Sequence, residues 1–377
     1  MKIGLVTRRA GYNFGSTLQA YALHYFLRNK GYDNIIIDVK EYRLRGKFRL
    51  FVYDVAYVIL KAIELFLHSI KKNKSVKRIL EFKEARDKYD EFEKKYFNLT
   101  ATEYSKKRHL QRDFKEYDYL ICGSDQIWSP LTYNPFMFLN FANPLQTKTI
   151  SYAPSIGVSQ IDEHREDIAK LINRIDYLSI REDRGRELIK DITGRDALVV
   201  LDPTLLFDHK DWLSLMKDGQ PNVHGEYILC YFLSSELLPA RFINNLQRQT
   251  NMKIINLQTN YCSITIEGAD NRADIGPIGF LQLIRNAKYV CTDSFHGTIF
   301  SIQFEKEFYV FNRFNDKDHM NQNSRINTLL KSLNIDDRLV KNIDTIDLGM
   351  TIDYDSVKNR LSKLREVSIN FLISSIK

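Results

Sequence analysis

His296 lies in the run Tyr289-Val290-Cys291-Thr292-Asp293-Ser294-Phe295-His296-Gly297-Thr298-Ile299-Phe300-Ser301. A β-rich stretch, 289–292, meets two N-cap candidates, Asp293 and Ser294, and then an apolar helix over 295–304. Strand, tight turn and helix together gather free backbone N–H groups and the positive end of a helix dipole beside the histidine. Such a turn suits an anion, which His296 could hold or supply with a proton. In an arbitrary turn of this kind the imidazole equally well satisfies a neighbouring carbonyl.

Three more groups follow predicted strands. Asp125, in Cys122-Gly123-Ser124-Asp125-Gln126-Ile127-Trp128, is a carboxylate placed to hold or deprotonate an acceptor hydroxyl, or else to cap a helix. Ser124 and Gln126 flank it, and Trp128 could stack on a sugar ring or fill the core. Asn13, Gly15 and Ser16 follow the first strand, where a glycine permits a tight turn and a helix start offers donors; an Asx-type cap is the alternative. Arg181 precedes Glu182 and Asp183. Its fork suits a phosphate or carboxylate bidentately, or a salt bridge to one of those acids. In doubly wound sheets ligands bind at the carboxyl ends of strands, which is where all of these groups fall.

The elements that must position them alternate. Strands are expected at 3–7, 35–39, 119–122, 149–153, 178–181 and 198–201, with helices over 16–29, 77–96, 162–174 and from 183. A polar stretch, 217–225, reads as a linker between an N-terminal Rossmann-like domain, 1–216, and a C-terminal one, 226–377. The second half repeats the pattern with strands at 227–233, 253–257, 289–292 and 308–311. Its helices are expected at 239–250, 280–287, 295–304 and 325–333, and a last helix, 354–376, could pack back on the first domain. The expected fold is therefore α/β, two Rossmann-like domains facing a cleft, as in the GT-B arrangement. A chain of 377 residues is long for one core, which agrees. No GxGxxG is present, so dinucleotide binding is not expected.

Four cysteines, Cys122, Cys230, Cys262 and Cys291, are far apart with no CxxC pair; they read as reduced thiols, and no metal site is expected. The first strand begins at Ile3, leaving no room for a signal peptide, so a cytoplasmic protein is expected. The net charge of +8 is matched by segment 43–78 alone, with ten Lys or Arg against Asp54 and Glu64. The apolar run 48–70 inside it is broken by Arg49, Asp54, Lys61 and Glu64. That pattern makes an inserted basic amphipathic segment, about 43–96, that either lies on an anionic membrane face or packs on the protein itself. No groove-reading motif accompanies the charge, so nucleic acid is not an expected partner.

Asp293-Ser294-Phe295-His296-Gly297-Thr298, with Gly276-Pro277 and Phe280 upstream, resembles the signature of the polysaccharide pyruvyl transferase family. So do Cys122 to Trp128 and Asn13-Phe14-Gly15-Ser16 with Leu18-Gln19-Ala20-Tyr21. The resemblance runs from Lys2 to about Arg338 and weakens over 40–110. It implies a GT-B-like fold and a ketal-forming transfer of pyruvate from phosphoenolpyruvate, as co-substrate without a further cofactor, to a saccharide in surface polysaccharide synthesis. The acceptor could be lipid-linked. The positions matching the family's donor site are Arg181 and His296. One departure stands out: some members carry an arginine two residues before the histidine, where this chain has Ser294. Arg325, at a helix start, could supply that charge, ahead of Arg285 and Arg313. On this reading His296 and Asp125 are the acid and base, and Ser294, Arg181 and Arg325 join His296 around the donor. Asn13, Gly15, Ser16, Ser124, Gln126 and Trp128 face the acceptor. A nucleotide-sugar glycosyltransferase and a non-catalytic saccharide-binding protein are the alternatives.

Overall fold

The computed structural model describes residues 1–9, 11–40, 74–216, 223, 225–234, 238–259, 263–314, 321–341 and 349–377. The expected amphipathic helix over 48–70, nearly all of the linker and Cys262 lie outside them.

The N-terminal sheet is built from β1 (Ile3–Val6), β2 (Asn34–Ile36), β3 (Tyr119–Cys122) and β4 (Lys148–Ser151), in the order β2-β1-β3-β4 with every pair parallel. A short pair, β5 (Ser179–Ile180) with β6 (Leu198–Val199), extends it. Irregular backbone bonds join β5 to β4, among them Ser151 N to Tyr177 O and Arg181 N to Pro154 O. The second sheet contains β7 (Tyr227–Tyr231), β8 (Lys253–Leu257), β9 (Asp270–Arg272), β10 (Tyr289–Thr292), β11 (Glu307–Phe311) and β12 (Leu339–Val340). Its order is β12-β11-β10-β7-β8-β9, again parallel throughout. The central strands are buried along their whole length, as parallel strands covered by helices on both faces must be. The fold is thus α/β with two Rossmann-like domains.

Among the described residues the helices are α1 (Phe14–Asn29), α2 (Lys74–Tyr96), α3 (Lys107–Asp113), α4 (Arg165–Ile172), α5 (Asp183–Thr193), α6 (His209–Leu215), α7 (Leu238–Thr250), α8 (Pro277–Asn286), α9 (Phe295–Gln303), α10 (Ser324–Leu333) and α11 (Tyr354–Ser374). Asn13 caps α1 by accepting from Ser16 N, Ser294 caps α9 by accepting from Gly297 N, and Pro277 opens α8 at a position where no N–H is needed.

Two features hold the domains together near the site. Phe14, first residue of α1, stacks on Phe280 of α8 with ring centroids 4.4 Å apart, and Tyr89 and Tyr231 close around the pair. At the far end of α9, Gln303 donates to the carbonyls of Thr204 (2.8 Å) and Phe207 (2.9 Å). Helix α11 bonds back to the first domain: Ser368 Oγ accepts from Leu201 N, and Arg365 donates to the Leu205 and Phe207 carbonyls. Among the described residues no helix is long and apolar enough to cross a membrane.

Candidate active site at the domain junction

Three strand ends of the first domain and one helix start of the second meet at a single carboxylate. Asp202 follows β6 and is almost wholly buried (1% exposed). Its Oδ1 accepts from the backbone N–H (3.0 Å) and hydroxyl (2.7 Å) of Thr204. Its Oδ2 accepts from Arg181 Nη1 (2.7 Å) and Ser124 Oγ (3.2 Å), and His296 Nε2 stands 3.6 Å from the same oxygen. That last distance is an ion-pair approach rather than a hydrogen bond, and Nε2 is a buried ring nitrogen with no hydrogen-bond partner. Burial favours the neutral form of Asp202. His296 and Arg181 beside it, with the Thr204 bond, outweigh burial and hold its pKa far below the usual carboxylate range.

Arg181, following β5, is itself buried. Its other terminal nitrogen, Nη2, reaches Asp125 Oδ1 at 3.5 Å. The ion pair expected of Arg181 therefore exists with other partners: Asp125 and Asp202 take it, and Glu182 turns away to accept from Ser155 Oγ and the Ile156 and Gly157 N–H groups. Asp125 accepts a short bond, 2.6 Å, from Ser16 Oγ of α1. It is not a helix N-cap. Its φ of 70° lies in the left-handed region, and only a turn follows. Burial would raise its pKa, but Arg181, His296, Arg8 and the Ser16 bond pull it well below the ordinary range.

Two glycines make this closeness possible. A Cβ at Gly15 would sit 2.0 Å from His296 Nδ1, so the start of α1 presses its bare backbone against the imidazole. Gly123, at φ 137°, brings its Cα so near the Tyr152 carbonyl that a Cβ would meet that oxygen at 1.9 Å. Gln19 ties the same corner from below: its Oε1 accepts from Ser124 N (3.0 Å), and its Nε2 donates to Arg8 O, Ser16 O and Thr7 Oγ1.

Arg325, in the first turn of α10, completes the group. It donates to Gln322 Oε1 (3.2 Å), which also accepts from Gln126 Nε2 (2.8 Å) of the other domain. Both guanidiniums lie on the Phe295 ring, Arg181 at 4.5 Å from its centroid and Arg325 at 5.8 Å. Burial and the neighbouring Arg181 cation bring the Arg325 pKa down to about 10.

The expected site residues thus separate. His296, Arg181, Asp125, Ser16, Ser124 and Arg325 converge, with Gly15 as the floor under the imidazole. Asn13 and Ser294 are occupied as helix caps, and the Ser294 hydroxyl faces its own helix. Trp128 corrects the expectation of a sugar platform. It is fully buried, stacked on Phe138 with its indole N–H donating to Met137 O, so no ring face is open to a ligand. Asp202 was missed as a site residue. The signal available was its position, since it directly follows a strand, but Asp-Pro-Thr reads as a turn cap, a role its Oδ1 also performs.

The family model described as polysaccharide pyruvyl transferase matches residues 13–315. The chain belongs to that family. The match begins at the Asn13 cap and spans Asp125, Arg181, Asp202 and His296; Arg8 lies before it and Arg325 ten residues beyond it. Polysaccharide pyruvyl transferases are transferases of polysaccharide biosynthesis, and this chain shares their motifs at the positions where the domains touch. No curated protein matches the chain. Among solved structures, an α-glucosyltransferase in complex with UDP and a 13-mer DNA superposes with a TM-score of 0.51 at 9% identity, covering 98% of this chain and 90% of that one. The S. aureus MnaA–UDP structure gives 0.50 at 10% identity, over 96% of this chain and 87% of the other. These likenesses establish the GT-B fold of this family member.

Proposed function

We propose that the protein transfers pyruvate from phosphoenolpyruvate to saccharide hydroxyls, forming a ketal and releasing phosphate, in cytoplasmic synthesis of a surface polysaccharide. The observation that carries this reading is the pairing of an unbonded, buried His296 Nε2 with Arg325, a guanidinium that meets no carboxylate among the described residues, at a junction of the two domains. A small ligand with two anionic groups needs a cation and a proton donor that are not already spent on each other.

In this mechanism the methylene carbon of phosphoenolpyruvate takes a proton, C2 becomes electrophilic, and a first sugar hydroxyl adds there and loses its proton. Phosphate then leaves with the C2–O bonding pair, and a second hydroxyl closes the ketal. His296 is suited to the acid role because its buried Nε2 makes no hydrogen bond and stands 3.6 Å from the Asp202 carboxylate. Arg325 offers the anion its charge. Arg181 keeps Asp125 and Asp202 ionised and oriented. Asp125, so strongly acidic, makes a weak base, and its role is to hold an incoming hydroxyl by hydrogen bond, in exchange for or beside the Ser16 hydroxyl.

Calorimetric titration of the whole protein with phosphoenolpyruvate and, separately, with UDP tests the reading. Phosphoenolpyruvate should bind, and weaken on Arg325→Ala. Binding of UDP with none of phosphoenolpyruvate would overturn it in favour of a nucleotide-sugar donor.

A further inference from the structure

A concavity opens in the first domain. It has a volume of about 260 Å³ and is lined by Arg8, Thr132, Tyr133, Glu163 and His164, with Ile127 on the side of Asp125. Tyr133 and His164 are stacked face to face, their centroids 4.2 Å apart and planes inclined by 16°, so each covers one face of the other and the stack forms one wall of the cavity. His164 holds a left-handed backbone, φ 58°, a strained position for a residue with a Cβ. Arg8 Nη2 donates to Thr132 Oγ1 (3.2 Å), and the charge of Arg8 also acts on Asp125.

We infer that this cavity is an acceptor subsite that seats one uncharged pyranose ring on the Tyr133–His164 wall, with Arg8 and Glu163 bonding its hydroxyls. The inference rests on the reading of the acceptor as a saccharide. Three observations carry it. The outer ring face of an aromatic stack takes the C–H face of a sugar, while groups around the rim take its hydroxyls. The volume falls just under the usual range for small-molecule pockets, roughly 300–1,000 Å³, which suits a single ring rather than a chain. The lining pairs one guanidinium with one carboxylate, so it does not select an acidic sugar over a neutral one. Position matters as well: Arg8, which lines this cavity, also acts by its charge on Asp125, and Ile127 of the lining is two residues from Asp125.

Saturation-transfer NMR with a panel of methyl pyranosides (glucoside, galactoside, mannoside, N-acetylglucosaminide and glucuronide) tests this on the whole protein without any donor. A neutral pyranoside should give transfer. Tyr133→Ala should weaken its binding about tenfold, while Tyr133→Phe keeps it, because the ring and not the hydroxyl makes the wall. Glu163→Gln should weaken it less. Either of two results overturns the subsite: no pyranoside binds, or the neutral sugars bind equally well to Tyr133→Ala, provided its thermal unfolding matches the wild type; Tyr133→Leu, which fills the space without a ring, carries the same test if the alanine variant does not fold. Phosphoenolpyruvate titration is a separate readout. If it fails while Tyr133-dependent sugar binding persists, the donor assignment falls and the subsite stands.

Discussion

Arg181 and Arg325 lie on the same Phe295 ring, yet their surroundings differ in charge. Arg181 has a carboxylate on each terminal nitrogen, Asp202 at 2.7 Å and Asp125 at 3.5 Å. Among the described residues Arg325 donates to the amide oxygen and backbone carbonyl of Gln322 and meets no carboxylate at ion-pair distance, and burial beside another cation lowers its pKa to about 10. One arginine is neutralised at contact distance; among the described residues the other feels Glu182 and Asp125 only from beyond ion-pair reach. A buried charge in water-poor surroundings is costly unless paired, so an unpaired one at a domain junction marks the place where an anion would lower the energy. On the proposed function Arg181 is a positioning residue and Arg325 a binding one, although both occupy strand-end or helix-start positions that look alike in sequence.

Removing Arg181 should cause the largest change. Arg181→Ala leaves Asp125 and Asp202 facing each other's charge in a buried site, and loss of about 3–5 kcal/mol of stability is expected. Chemical denaturation would read this as a lower midpoint. A stability change under about 1 kcal/mol would erase the contrast between the two arginines.

Gly15→Ala comes next and separates geometry from charge. The new methyl must occupy the space of His296 Nδ1, so the imidazole moves away from Asp202 while every charged group remains. A misplacement of about 1 Å is expected to lower turnover about a hundredfold. Phosphate release from phosphoenolpyruvate with a competent acceptor would measure it, and near-normal turnover would show that the imidazole position is not what matters.

Arg325→Ala should do the reverse of Arg181→Ala. Stability should shift by less than about 1 kcal/mol, and phosphoenolpyruvate affinity should fall about ten- to a hundredfold, the worth of a charge-assisted bond. Equal effects of both arginine variants on affinity would break the comparison.

Much of this arrangement was legible in the sequence, because strand ends are visible as β-rich runs stopped by cap residues. The runs at 119–122, 253–257 and 289–292 are strands over those residues. Others were found with shifted ends, such as Ser179–Ile180 within 178–181. Two strands escaped: Asp270–Arg272, an edge strand with no apolar residue, and Leu339–Val340, only two residues long. Within the site, Arg181 and His296 could be placed at strand and helix ends, but nothing local reveals that Asp202 joins them; that depends on how three chain segments, far apart in sequence, converge. Trp128 shows the opposite failure. Its residue type suggested a sugar platform, and burial, which residue type does not encode, made it core.

The smallest expected effect concerns acid. Asp125 and Asp202 both have folded-state pKa values held below their unfolded value of about 3.9. As pH falls through that value, the unfolded chain takes up protons that the folded protein refuses. Stability is therefore greater above about pH 4 and declines below it, by at most ~1.4 kcal/mol per pH unit for each carboxylate. Asp113, Asp196 and Asp274 are also depressed, so the decline alone does not identify the junction. The difference between proteins does. Asp202→Asn starts less stable, since Arg181 loses its closest partner, but it has one fewer proton to take up on unfolding. Its stability should fall less steeply between about pH 4 and pH 3, measured by urea unfolding at fixed ionic strength. Arg325→Ala keeps both carboxylates paired with Arg181 and should retain the wild-type slope. Parallel curves for wild type and Asp202→Asn would mean that Arg181 is not the neutralised member of the pair.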